Sequence, residues 1–286
     1  MVTTAADLAS GQIAMVAEAR FTMEHVAVFT NLFTKMTLEP GEKSKYIPKF
    51  GQLSSDDLDL TDGVDMSTAK TLTITGTTHT TDEAGLKVII TRKLRHQLKA
   101  DAFQAAGRVI GNTMGKKIDQ DGLSLFSGLN SGLGSASTAL TLGHHAAAVA
   151  QCLGQSEPVP MPLVAVYHPY HINYFVDLLA TPGTSNMPPD LQKDVLLNYW
   201  RGNDKLYGVP IFSDGNIVPD ANEDAYGAIF SKMAFIYLVG WEPENWIEED
   251  KSLRGWEIGI VADYGMVEED GTYGRYMLFD AAAPTS

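Results

Sequence analysis

The chain begins with weak periodicity. Ile13, Val16 and Ala17, followed by residues 20–28, carry a partial helical pattern. Residues 1–35 hold little that could form a core alone, so they are expected to lie as an arm on other surfaces. Residues 36–91 read differently. Residues 45–50, 70–80 and 86–91 are rich in Thr, Ile and Val, which suit strands. Leu72 and Ile74 alternate with Thr71, Thr73 and Thr75, as on a half-buried strand. This pattern predicts a long β-hairpin whose tip, residues 54–65, is acidic. An isolated two-stranded ribbon is marginal in water, so the hairpin is expected to lie on another surface, a neighbouring copy in the first instance.

From residue 92 the period changes to that of a helix. Leu94, Leu98, Ala102, Ala105, Val109 and Ile118 fall near one stripe, which predicts a single long helix to about residue 128. Gly107, Gly111 and Gly115 recur every fourth residue and so share a face. Each glycine costs a helix about 1 kcal/mol relative to Ala. Three in register therefore suggest a smooth strip where another backbone comes close. Residues 127–143 have the Gly- and Ser-rich composition of a linker, and a helix is expected over 144–153.

Residues 158–249 read as an α/β unit. The short apolar run 163–167 suits a buried strand. Helices are expected at 171–179 and 191–199, a loop at 181–189, and strands at 207–212, 227–230 and 234–239. The alternation over 256–267 predicts a long strand, then a turn at 268–271 and a closing strand at 275–279.

Composition narrows the function. The 286 residues are 44% hydrophobic and 20% charged, ordinary for a chain that buries a core. No run of about 18 apolar residues is present to span a membrane, and the N-terminus lacks the pattern of a signal peptide. A net charge of −14 argues against gripping a phosphate backbone, which needs clustered Lys and Arg. It leaves open a protein that encloses nucleic acid without sequence-specific binding. Cys152 is the only cysteine, so no internal disulfide can form, and its apolar helical setting suits an inert buried thiol.

Catalytic signatures are absent. There is no G-x-S-x-G elbow, no Walker A loop and no dinucleotide fingerprint. The acidic tip breaks the spacing of a calcium loop, with Thr68 where Glu is required. It reads instead as a solvated turn or as a charged contact with a neighbour. His144 and His145 diverge on a helix, and His168 and His171 have no carboxylate or cysteine beside them in sequence. Capping or core roles fit these histidines better than a metal site, and no cofactor is expected.

The order arm, long hairpin, long helix, α/β unit, closing strands resembles that of tailed-bacteriophage major capsid proteins, the Hong Kong 97-type fold, an α+β architecture. Residues 92–126 are similar to the family's spine helix. Leu206-Tyr207-Gly208-Val209-Pro210-Ile211-Phe212-Ser213 resembles its Leu-x-Gly-x-Pro-Val strand, and Tyr226-Gly227-Ala228-Ile229-Phe230-Ser231 the segment after it. Asn245-Trp246-Ile247-Glu248-Glu249-Asp250, the strand 256–266 and Tyr273-Gly274-Arg275-Tyr276-Met277-Leu278 match its long peripheral strand and return.

The resemblance implies an N-terminal arm (1–35), an extended hairpin loop (36–91), a peripheral domain (92–137 with 250–272) and an axial domain (138–249 with 273–286). It implies a structural, non-enzymatic subunit. Copies would form pentamers and hexamers of an icosahedral shell around double-stranded DNA, assembled in the host cytoplasm and present in the virion. A portal, a separate scaffolding protein (or removal of a leading segment) and cement proteins are the partners it brings. Candidate contacts between copies are Lys49, Asp56, Asp57 and Asp59 on the hairpin and Gly107, Gly111 and Gly115 on the helix. An encapsulin-type compartment of the same fold is the nearest alternative. A soluble hydrolase using His168 and His171 is a more distant one.

Overall fold

A computed structural model describes residues 28–51, 53, 58–59, 62–66, 69–98, 101–180 and 205–284. Most of the arm, Asp56, Asp57, the loop at 181–189 and the helix expected at 191–199 lie outside the described residues.

The described chain forms three sheets. The first has four strands: β1 (Thr34–Thr37), β10 (Phe235–Asp250), β11 (Gly255–Glu268) and β4 (Asp82–Thr91), in that order. β10 and β11 form a long antiparallel pair from Phe235↔Glu268 to Asp250↔Gly255, and β4 continues the sheet from Tyr264↔Asp82 to Gly255↔Thr91. Trp246 faces Gly259 across that pair. A Cβ on Gly259 would lie 2.5 Å from the Trp246 ring, so the glycine is what lets the indole lie flat on the sheet.

The second sheet has six strands in the order β5 (Leu133–Gly134), β12 (Gly274–Asp280), β9 (Asp224–Ser231), β6 (Leu163–Tyr167), β8 (Val209–Ser213) and β7 (Lys205–Leu206). All five residues of β6 are buried, and the alternation of a strand explains how. Leu163, Ala165 and Tyr167 face one apolar core; Val164 and Val166 face another. β9 divides likewise, with Ile229 on one side and Ala228 and Phe230 on the other. A strand covered on both faces reads as a continuous apolar run, which is what the sequence displays at 163–167.

Helices α3 (Leu142–Leu153) and α4 (Pro169–Ala180) supply Ala148, Val149, Cys152, Ile172 and Phe175 to the first of these cores. Helices α1 (Arg92–Leu98) and α2 (Asp101–Ser124) follow β4; whether they are continuous lies in residues 99–100, outside the described chain. α2 packs on β4, β11 and the short helical turn Val28–Leu32. Its inward face carries Phe103, Ile110, Met114 and Ile118, while Ala105 and Val109 are exposed. The stripe expected from Ala105 and Val109 is therefore out of phase. Gly107, Gly111 and Gly115 are buried as well, though glycine adds nothing to an apolar count.

The third sheet is the hairpin. β2 (Ser44–Phe50) and β3 (Ile74–Thr80) pair antiparallel from Ser44↔Thr80 to Phe50↔Ile74.

Candidate functional site

Strand alternation gives the ribbon two chemically different faces. Lys45, Ile47 and Lys49 stand opposite His79, Thr77 and Thr75 on one face; Tyr46, Pro48 and Phe50 stand opposite Thr78, Gly76 and Ile74 on the other. The second face is open: Tyr46 is 55%, Phe50 61% and Ile74 57% exposed. Tyr46 lies across Gly76, where an added Cβ would come within 2.5 Å of the ring. Leu53, Leu58, Val64, Met66 and Leu72 beyond the ribbon are exposed as well. So many unsheltered apolar side chains on one excursion mark a surface that another surface covers.

The first face is polar and turns toward the chain's own body. Lys49 forms an ion pair with Asp270, whose side chain is 5% exposed, and its ammonium lies 5.8 Å from the centre of the Tyr273 ring. Burial pushes the Asp270 carboxyl up, but hydrogen bonds from Lys49 and Thr272 outweigh it and hold the group below the usual carboxylate range. His79 Nε2 lies 3.3 Å from Glu269 Oε2 and 3.0 Å from Thr77 Oγ1. Lys45 Nζ donates to the Thr37 carbonyl at 3.0 Å. Lys49, a candidate for contact between copies, thus has a partner inside its own chain.

The other candidates are dispersed. Asp59 is exposed at the tip, with Asp62 and Asp65 nearby in sequence and also exposed. Gly107, Gly111 and Gly115 are covered within the single subunit before any neighbour arrives.

The histidines have structural duties. Thr141 and His144 form a reciprocal capping box at the start of α3. His168 Nδ1 accepts the Tyr170 N–H at 3.2 Å at the start of α4. His145 is fully buried, with Nδ1 2.8 Å from the Tyr167 hydroxyl and Nε2 3.3 Å from the Leu206 carbonyl. A neutral ring that donates from Nε2 and accepts at Nδ1 satisfies both partners. His171, also fully buried, bonds the Phe279 carbonyl at 3.1 Å. Burial pulls both rings down to about 4, against the raising effect of those carbonyls. Among the described residues no group of three or more His, Cys, Asp or Glu side chains could hold a metal ion. Cys152 is buried, and that burial raises its thiol despite nearby Arg275. Of the tryptophans, Trp256 packs edge-on against Phe103, and Trp200 lies outside the described residues. Among those residues no helix is long and apolar enough to cross a membrane.

No protein-family model matches the sequence, and no curated protein matches it. Solved structures do match in shape. A structure from Mycobacterium phage Che8 superposes with a TM-score of 0.67 at 15% identity, over 88% of this chain and 90% of that one. The asymmetric unit of the bacteriophage PhiM1 mature capsid gives 0.66 at 10% identity, over 90% and 88%. The capsid of cyanophage P-SCSP1u gives 0.64 at 13% identity, over 90% and 89%. The fold is the Hong Kong 97-type capsid fold that the order of elements implied. The encapsulin-type and hydrolase alternatives gain no support from these likenesses.

Proposed function

We propose that this chain is a major capsid protein, a structural and non-enzymatic subunit whose copies form the pentamers and hexamers of an icosahedral phage shell around double-stranded DNA. The observation that carries this reading is the extent of the likeness: about nine-tenths of the chain follows about nine-tenths of each capsid chain. The open apolar face of the ribbon supports it, because a subunit that never associates has no use for such a face.

On this reading the ribbon and its tip are the projecting part of the loop expected at 36–91 and lie across a neighbouring copy, while β4, the end of that stretch, stays in the body's four-stranded sheet. Asp56, Asp57 and Asp59 would meet basic groups there, a contact that weakens with salt. The long helix, with residues 92–137 and 250–272, forms the peripheral domain. Residues 138–249 and 273–286 form the axial domain around the five- and six-fold axes. Large interlocked area supplies the cohesion. The acidic balance suits DNA that is enclosed without being gripped. A scaffolding protein, a portal and cement proteins are the partners such a shell uses, assembly takes place in the host cytoplasm, and the product is the virion.

Light scattering and negative-stain microscopy of the purified chain test the reading. Rings of five or six copies, or closed shells tens of nanometres across, are the expected result. A monomer or dimer that persists when a cognate scaffolding protein is added would sink it.

A further inference from the structure

The ribbon and the body are joined by unusual means. Neither apolar core contains a residue of β2 or β3, and His79 is the one buried residue of the two strands. The end of β3 packs at Thr80 on Gly265 of β11, and among the described residues the ribbon's side-chain ties to the body are polar: the Lys49–Asp270 pair, the His79–Glu269 contact at 3.3 Å and the Lys45 bond to the Thr37 carbonyl. The body's side of the attachment is concentrated. Glu269 and Asp270 are consecutive residues in the turn between β11 and β12, and both Asp270 oxygens are engaged, Oδ1 by Thr272 and Oδ2 by Lys49.

The connections on either side are narrow. One is the turn Glu39–Glu42, closed by the Glu42 N–H to the Glu39 carbonyl at 2.9 Å, with Gly41 at φ +97°. The other is the single residue Thr81, between β3 and β4.

We propose that Lys49 and His79, seated on Asp270 and Glu269, form a releasable electrostatic latch that holds the ribbon against its own subunit and fixes the direction in which its apolar face points. Releasing the latch leaves both cores intact, because no core side chain has to move. It also exposes the β2–β3 ladder, since a two-stranded ribbon without support is marginal in water. Ionic strength is the natural lever. Lys49 is 44% exposed, and salt at about 1 M shortens the screening length to about 3 Å. Acid is a poor lever: the Asp270 carboxyl is held low, so its part of the latch persists until the pH falls through that lowered value. The latch is internal to one subunit and stands whether or not the chain builds shells.

Amide hydrogen exchange on the full chain in its unassembled state tests it. In wild type the β2–β3 amides should be protected in low salt and exchange on the order of tenfold faster near 1 M NaCl, the loss expected from one charge-assisted bond. Lys49→Met should give the faster rate already in low salt and respond little to added salt, with β9 and β12 unchanged. Asp270→Asn should do the same from the body's side. If that variant fails to fold, Lys49→Met still reads the latch, because it alters only the ribbon. Unchanged ribbon exchange in Lys49→Met would overturn the proposal. So would an equal rise in β9 and β12, which would make the pair a general stabiliser instead of a latch.

Discussion

The six-stranded sheet and the two-stranded ribbon are built from similar residues and stabilised by different means. β6 and β9 are covered on both faces, and Phe230 sits fully buried between Phe33, Phe126 and Phe235 with ring centroids 5.1–6.2 Å apart. The ribbon carries Tyr46, Phe50 and Ile74 with more than half of each side chain in solvent. Burial of apolar area is the dominant favourable term in folding. The first region draws on it within one chain, whereas the second can draw on it only from another surface. Mutations should therefore separate cleanly: those in the sheet cost subunit stability, and those on the ribbon's outer face cost association.

The largest effect is expected in the sheet. Phe230→Ala removes a buried ring and leaves a cavity among three other rings, so it should lower unfolding free energy by about 3–5 kcal/mol. Urea denaturation of the unassembled subunit measures it, and a loss below about 1 kcal/mol would mean that the aromatic cluster repacks. Next in size, taken ring by ring, is acid. His145 and His171 titrate near 4 when folded and near 6.5 when unfolded. The unfolded chain thus takes up protons first as pH falls. Stability is full above about 6.5, declines between 6.5 and 4, and levels off below, by about 3 kcal/mol for each ring. Replacing His171 with Gln should remove one ring's share of that slope; an unchanged pH profile would mean that His171 titrates alike in the folded and unfolded chain.

A smaller effect is expected at the glycine strip. The spacing of Gly107, Gly111 and Gly115 suggested close approach of another backbone, and all three are buried in the single chain. Spacing alone could not say what covers them, because a glycine face looks alike against a neighbour and against the chain's own body. The apolar stripe was misphased for the same reason: Val109 is 61% exposed, while glycines without hydrophobic signal face inward. Gly111→Leu should overpack the buried side of α2 and destabilise the subunit by about 1–3 kcal/mol. Stability equal to wild type, with assembly lost, would return the strip to a contact between copies.

Elsewhere legibility followed burial. The run at 163–167 became β6 residue for residue, and the closing strands were found with each end one residue short. The second half of β10 was missed. Glu242, Glu244, Glu248 and Glu249 are exposed along it, and its pairing with β11 comes from backbone hydrogen bonds, which leave no apolar pattern. The latch was equally invisible, because Lys49 and Asp270 are 221 residues apart.

The smallest effect on the subunit belongs to the ribbon's outer face. Tyr46→Ser together with Phe50→Ser removes side chains that are mostly in solvent already, so unfolding free energy should stay within about 0.5 kcal/mol of wild type. Rings and shells should nevertheless fail to form, because the two aromatics are the largest apolar groups the ribbon offers and burying them against a neighbour is worth about 1.5–3 kcal/mol each. A shell repeats that contact in every copy, so a loss modest in one subunit becomes prohibitive for the lattice. Scattering and microscopy read the second half of the prediction, urea melts the first. Normal shells from the double variant would mean that the ribbon's apolar face is not what neighbours cover. A destabilised monomer would mean that the face already packs on its own subunit, and the contrast between sheet and ribbon would no longer hold.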